Sequence, residues 1–304
     1  MKIIHSFGEA DKNEELSLAF GYFDGIHLGH RKIIEEENKT LKNGVVTFDR
    51  HPLDLIDKSK APKRLMTLDE KISYLEKLNV DYLFIIHFDF DFMNLTDREF
   101  INMVIDNVNM KKMKVGFNYH FGKNGMGNAD MLKEISKEKD FDLKVVEEYK
   151  IGNERVCSTA IRRFISDGNI KKANEFLGRA YSVEGKVSHG KHLGKKIGIP
   201  TANIIPDAMK IMPKRGVYVT RVTVDGNVHY GISNVGINPT FNEEMKIETN
   251  IFDFDKDIYG KSIKIEFLEF EREERAFDSI EDLKETINKS ISFGKDYIKG
   301  KLNY

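Results

Sequence analysis

Apolar and polar positions change rhythm near the middle of the 304-residue chain. Between Leu16 and about Leu177, short apolar runs alternate with stretches of helical spacing. Leu16–Phe20 (LSLAF) reads as a buried strand. From Gly29 through Lys42 the spacing predicts a helix with Ile33 and Ile34 inward and Glu35, Glu36 and Glu37 outward. Val45–Phe48 gives a second strand, and Val80–Phe88 (VDYLFIIHF) the most apolar one, expected at the centre of the sheet. Met113–Phe117 and Phe141–Glu148 supply two more. Thr67-x-x-Glu70 and Thr96-x-x-Glu99 are capping boxes that open helices, the first with Ile72, Leu75 and Leu78 on one face. Ser158–Gly168 and Asn169–Leu177 predict two short helices. Such alternation implies an α/β domain with a parallel sheet.

After Gly178 short strands follow one another at Tyr181–Ser188, Val217–Val224, Val228–Val235, Ile247–Phe254 and Ile263–Phe270. Asp225-Gly226 marks a hairpin. This cadence predicts a small antiparallel β-barrel closed by a C-terminal helix from Ser279. The expected boundary lies near residues 178–181, giving domains 1–179 and 180–304.

Composition narrows the class without naming a chemistry. The 48 basic and 49 acidic residues leave a net charge of −1, so no general polyanion surface and no nucleic-acid partner is expected. A mean hydropathy of −0.45 is that of an ordinary soluble protein. No run approaches the roughly 18–20 apolar residues that span a bilayer, and the first residues, MKIIHSFGEADKNEEL, carry no apolar stretch fit for export. Neither a membrane partner nor secretion is expected. Cys157 is the single cysteine, which suits a reducing cytoplasm.

Three stretches carry candidate chemistry. Phe20–His30 (FGYFDGIHLGH) puts Gly21, Phe23, Asp24, Gly25, His27 and His30 on a tight strand-to-helix turn, where backbone N–H groups can meet a phosphate. Asp24, His27 and His30 could equally be metal ligands, or the histidines satisfied core residues. Ser158 and Thr159 can cap a helix whose free N–H groups bind phosphate, with Arg162 four residues beyond Ser158 as a bidentate donor. A plain N-cap with a surface arginine is the alternative. His189–Asn203 (HGKHLGKKIGIPTAN) is a basic, glycine-rich turn, which composition alone would make a solvated loop. It is no Walker loop, and Gly260-Lys261-Ser262 lacks the upstream glycine of one. Gly122, Gly125 and Gly127 have the wrong spacing for a dinucleotide fingerprint and read as a flexible loop.

In combination these motifs resemble a known family. Gly21-x-Phe23-Asp24-Gly25-x-His27-x-Gly29-His30 resembles the signature of nucleotidyltransferases, in the longer form of the bacterial flavin-nucleotide synthetases. Thr47-Phe48-x-x-His51-Pro52, Val115–Gly122 and Arg155–Arg162 are similar to further turns of that family, and Gly198-x-Pro200-Thr201-Ala202-Asn203 to the nucleotide site of riboflavin kinases. Gly236–Phe241, Ile247–Phe254, Asp257–Lys261 and Arg272–Phe277 complete the likeness, which runs from about Ala19 to about Ile287.

The resemblance to the bifunctional riboflavin kinase/FMN adenylyltransferase family implies a Rossmann-like domain followed by a riboflavin-kinase-like barrel. Riboflavin would be phosphorylated to FMN and FMN adenylylated to FAD, with ATP as donor and Mg²⁺ as cofactor. It implies ATP binding by Gly21, Phe23, Asp24, Gly25, His27, His30, Ser158, Thr159 and Arg162, and flavin binding by Thr47, His51, Pro52 and Asn118. In the kinase half it implies ATP at Gly190, Lys195, Gly198, Pro200, Thr201 and Asn203, Mg²⁺ on Thr201 and Asn203, and flavin at Arg272, Glu274 and Phe277. His27, His30, Arg162 and Glu248 would be catalytic. Cys157, Ala160, Asn118 and Asn250 depart from the family pattern. They keep open a chain with one working activity, adenylyl transfer first, or a flavin- or nucleotide-binding regulator whose catalytic centres have decayed.

Overall fold

A computed structural model describes residues 1–35, 37–189, 194, 198–237 and 245–302. It divides into two compact units, Met1–Ser158 and Thr159–Tyr304.

The first unit is built on six parallel strands: β1 (Lys2–Ile4), β2 (Leu16–Phe20), β3 (Lys42–Phe48), β4 (Tyr82–Ile86), β5 (Met110–Gly116) and β6 (Asp142–Val146), in the order β1-β4-β3-β2-β5-β6. Between them run α1 (Leu28–Ile34), α2 (Pro52–Ile56), α3 (Leu68–Glu76), α4 (Phe90–Asn94), α5 (Asp97–Asn107) and α6 (Ala129–Lys139). Successive residues of a strand serve opposite faces. Leu18 and Phe20 pack with Phe100, Ile101 and Val104 of α5, whereas Ala19 packs with Ile33 and Ile34 of α1 and Leu75 of α3. Burial on both faces explains why β2 and β4 read as nearly continuous apolar runs. The chain winds one way through β2, β3 and β4 and the other way through β5 and β6. A crevice therefore opens past the carboxyl ends of β2 and β5, where parallel sheets hold ligands.

Three expectations need correction. β4 is not central: β1 flanks it on one side and β3 on the other, with two-face burial accounting for its composition. The helix after the turn does not reach Lys42 but ends at Ile34. Lys114 of β5, fully buried, donates to the carbonyls of Ile34 (3.1 Å) and Glu35 (3.4 Å) and to Asn43 Oδ1 (3.0 Å), and so terminates α1 with a cation. Glu36 lies outside the described residues. Residues 122–127 form a closed turn, with Phe121 and Gly127 paired across it.

A two-stranded hairpin, β7 (Lys150–Ile151) and β8 (Glu154–Arg155), precedes α7 (Ser158–Ser166) and α8 (Ile170–Leu177). The barrel comprises β9 (Tyr181–Ser188), β10 (Ala202–Ile204), β11 (Gly216–Val224), β12 (Asn227–Ile237), β13 (Met245–Ile251) and β14 (Ser262–Arg272), closed in the order β10-β13-β12-β11-β14-β9. Asn174 of α8 stitches β14 to β9, donating to Phe267 O (2.8 Å) and accepting from Tyr181 N–H (2.7 Å). Inside, the hydroxyls of Thr220, Ser233 and Thr249 satisfy one another at 2.8 and 2.7 Å. Ser279 Oγ accepts from Asp282 N–H and opens the closing helix, α9 (Ile280–Leu302). Sequence periodicity missed β10, because three residues are too few to show alternation.

Candidate active sites

The turn from β2 into α1 is strained and held from several sides. Phe23 and Ile26 adopt φ of 52° and 37°, in the left-handed region that non-glycine residues avoid. Such a residue costs about 1–3 kcal/mol and persists only where its surroundings enforce it. Gly25, at φ 83°, could not be replaced cheaply, since a Cβ there would lie 2.7 Å from Leu65 Cδ1. Gly21 N–H donates to Val46 O (3.1 Å), and the Tyr22 carbonyl accepts from Thr47 Oγ1 (3.0 Å) and Lys71 Nζ (2.6 Å). The Asp24 carboxylate accepts from Leu65 N–H (2.9 and 3.1 Å), and its carbonyl accepts from Ser158 Oγ (2.9 Å). Thr159 and Arg162 follow on α7, in the second unit.

On this frame the imidazoles of His27 and His30 stack with centroids 3.6 Å apart and planes 18° off parallel. His27 is buried and caps α1, its Nδ1 accepting from His30 N–H at 3.2 Å. A neutral His27 therefore carries its proton on Nε2, as a donor. These bonds turn Asp24 and His27 toward backbone N–H groups rather than toward a shared metal. Among the described residues no group of three His, Cys, Asp or Glu is placed to hold one.

His30 also lines a cavity of about 430 Å³ at the crevice, whose walls include Phe20, Phe48, Phe88, Phe92 and Tyr119. Gly21, Phe23, Pro52 and Asn118 line it as well, so five of the residues singled out in the sequence meet here. Burial pushes the Tyr119 hydroxyl well above its usual range. His51 stands behind this wall, its ring edge-on to Tyr22 at 4.8 Å and its Nδ1 capping α2. Thr47, expected at flavin, is instead completely buried, its hydroxyl engaged by Tyr22 and Lys71. Phe20, Phe48, Phe88 and Tyr119 fall within stretches quoted above, but Phe92 and Lys71 escaped sequence reading, and that these residues meet is not encoded locally, because they come from separate elements. The cluster Phe88-x-Phe90-x-Phe92 was the one available signal.

In the barrel unit, Ile247, Thr249 and Ile251 are buried inward, and Glu248 and Asn250 face outward under α9. A cavity of about 220 Å³ there brings Glu248 together with Thr201, Arg272, Glu274 and Phe277, backed by Leu283 and Ile287 of α9. Burial holds the Arg272 guanidinium below its usual range. A second cavity, of about 420 Å³, is lined by Gly198, Pro200, Thr201 and Tyr259. Thr201 is common to both cavities. Register places Asn203 of β10 and Asn234 of β12 on either side of Glu248, and Lys246 Nζ donates to Glu248 Oε1 at 2.6 Å. Asn234, missed in the sequence, also donates to Glu274 Oε1 (3.1 Å). Gly190, Lys195 and residues 238–241 lie outside the described residues.

Asn250, one of the departures, has a role of its own: its Nδ2 donates to Pro200 O at 2.8 Å and ties β13 to the segment leading to Thr201. Asn250→Ala is expected to lose the ~1 kcal/mol of stability that such a hydrogen bond contributes. Thermal unfolding followed by circular dichroism checks this. An unchanged midpoint would make the bond incidental.

Comparison with known proteins agrees with this layout. A family model for FAD synthetase matches residues 9–160, and one for riboflavin kinase matches residues 177–298. The bifunctional riboflavin kinase/FMN adenylyltransferase of Bacillus subtilis (strain 168) is 37% identical over 286 residues, 90% of this chain and 89% of that one. Its Listeria monocytogenes counterpart is 34% identical over 274 residues, covering 88% and 87%. A solved Streptococcus pneumoniae structure, described as a macrolide-efflux protein, superposes with a TM-score of 0.85 at 31% identity, covering 96% of this chain and 97% of that one. In the present chain no helix among the described residues is long and apolar enough to cross a membrane.

Proposed function

The chain belongs to the bifunctional riboflavin kinase/FMN adenylyltransferase family, and from that premise we propose how its residues divide the two reactions. ATP phosphorylates riboflavin to FMN, and a second ATP adenylylates FMN to FAD with release of pyrophosphate. Both are in-line displacements that rely on positioning and charge stabilisation rather than on a covalent intermediate. A reducing cytoplasm, the source of ATP, is the compartment that the lone Cys157 suits.

Adenylyl transfer is assigned to residues 1–179. The aromatic cavity takes the flavin ring, and the stacked His27 and His30 meet the α-phosphate as the FMN phosphate oxygen attacks it. His27 Nε2–H donates to the charge that develops there and on the departing pyrophosphate. Arg162 joins this set on the strength of its motif. The observation that carries the assignment is the histidine stack beside an aromatic cavity where the sheet order reverses.

Phosphoryl transfer is assigned to residues 180–304. Riboflavin occupies the cavity of Glu248, Arg272, Glu274 and Phe277, and ATP the neighbouring one, so that Thr201 and Glu248 flank the line of transfer. Glu248 accepts the proton of the ribityl hydroxyl as its oxygen attacks the γ-phosphorus. A hydroxyl at Thr201 and an amide oxygen at Asn203 are hard, neutral oxygen donors, which fit Mg²⁺. Bound there, Mg²⁺ neutralises charge on the ATP phosphates.

Neutral ligands hold Mg²⁺ weakly, so its affinity depends on nucleotide. Calorimetry on the full chain is expected to give little Mg²⁺ binding without a nucleotide and clear binding with a non-hydrolysable ATP analogue. Tight stoichiometric zinc in the purified protein would instead favour a metal role for Asp24, His27 and His30. Incubation with riboflavin, ATP and Mg²⁺, followed by flavin chromatography, tests the division itself. Variants of the first site stop at FMN, whereas variants of the barrel site leave riboflavin unreacted yet still convert supplied FMN to FAD.

A further inference from the structure

Lys71 is a buried cation that neither reaction uses directly. It lies on α3 with 3% of its surface exposed, its Nζ 2.6 Å from Tyr22 O and 3.1 Å from Thr47 Oγ1, above the Tyr22 ring at 4.3 Å from its centroid. The Tyr22 carbonyl immediately precedes Phe23, the first of the two non-glycine residues in left-handed conformation on the histidine-bearing turn. A buried ammonium is costly unless its surroundings use the charge. Here it makes a charge-assisted bond to the turn, and the negative charge of Asp24 favours the ammonium.

We propose that Lys71 is a positioning residue for adenylyl transfer: its charged ammonium clamps the Tyr22 carbonyl and balances Asp24. The strained turn thereby keeps His27 and His30 in place, and adenylyl transfer weakens when that charge is lost. The proposal rests on the assignment of adenylyl transfer to this turn. Misplacement of reacting groups by about an ångström is enough to cost on the order of 10²-fold in rate.

Burial pulls the Lys71 ammonium down to about 8, with Asp24 opposing the shift and Arg64 adding to it. Among the groups around it, Arg64 stays charged and is paired with Asp54. The Tyr22 hydroxyl, pushed up to about 12 by burial, stays neutral. His51 lies edge-on to the Tyr22 ring, and Thr47 does not ionise. The sign for stability is opposite to that for activity. Between pH 8 and about 10.4 the unfolded chain holds the Lys71 proton that the native one has lost, so this group makes the fold more stable as pH rises. A merely structural lysine would not separate stability from rate in this way.

The test follows FAD formation from supplied FMN, as kcat/KM for ATP, from pH 7 to 9.5, with FMN formation by the same chain as control. The free enzyme's titration is what kcat/KM reports. In the wild type, FAD formation is expected to fall more than tenfold between pH 7.5 and 9.5, with its bend near 8, while FMN formation lacks that bend. Lys71→Met is expected to be at least tenfold slower in adenylyl transfer at pH 7.5, with no bend and with FMN formation unchanged. Followed by circular dichroism, the wild type's thermal stability should rise relative to Lys71→Met over the same range. A Met variant that keeps the wild-type rate and bend overturns the proposal. Should that variant not fold, a wild-type profile without a bend near 8 overturns it alone. His27→Ala/His30→Ala separates the premise: if that variant loses FAD formation while Lys71→Met does not, only the role of Lys71 fails. If it too keeps FAD formation, the site assignment fails.

Discussion

A chain in which His27 and His30 are both alanine is expected to make no detectable FAD while FMN accumulates from riboflavin. On the proposed assignment each imidazole meets the charge that develops on the α-phosphate and pyrophosphate, and removing one such donor typically costs about 10²–10³ in rate. Because the two rings stack at 3.6 Å and act on the same charge, their losses combine without simple additivity, to roughly 10⁴-fold or below detection. His27 also caps α1 through Nδ1, so alanine there removes about 1 kcal/mol of helix stability. His27→Asn restores a capping acceptor without the imidazole, and should recover that stability but not the rate. FMN formation, which the proposal assigns to Glu248, Thr201 and Asn203, should persist in both variants. Equal loss of both activities in a folded double variant would sink the assignment of two separate sites.

Glu248→Gln is expected to slow riboflavin phosphorylation by about 10²–10⁴-fold, the contribution of a positioned general base. Glutamine keeps the shape of the side chain between Asn203 and Asn234 and removes its basicity. Arg272, Glu274 and Phe277, the binding groups of the proposal, are untouched, so affinity for riboflavin and ATP should change little. Lys246 would lose a charged partner at 2.6 Å, an exchange that a half-buried pair tolerates. Conversion of supplied FMN to FAD should continue at the wild-type rate. A glutamine variant that phosphorylates riboflavin near the wild-type rate would remove Glu248 from the mechanism and leave the carboxylate as a ligand or a lysine partner.

Local chemistry was legible without a structure. The segment Gly21–His30 must turn tightly, since its glycines and histidines follow a buried strand, and Thr67-x-x-Glu70 and Thr96-x-x-Glu99 cap the helices they announce. Alternation along Ile247–Ile251 puts Glu248 on the face opposite the isoleucines, because side chains in a strand repeat every second residue, and the structure turns the isoleucines inward. The change of rhythm after Gly178 separated a parallel sheet from an antiparallel barrel.

What periodicity does not encode is which segments become neighbours. The most apolar strand looked central, yet apolar content reports burial on two faces and not rank within the sheet; β1, only three residues long, covers its edge. The helix seemed to run to Lys42 until Lys114, distant in sequence, took its last carbonyls. Thr47 is expected at flavin and Lys71 looks ordinary in the sequence, and only the tertiary fold brings both onto the Tyr22 carbonyl. Asn203, Glu248 and Asn234 form one row only because β10, β13 and β12 pair in that register. The sequence by itself determined the motifs, the elements that carry them and the family they resemble, since these depend on residues close along the chain. The tertiary structure alone decided which charges and hydroxyls hold those motifs in a reactive shape, because buried polar groups must find partners wherever the fold supplies them.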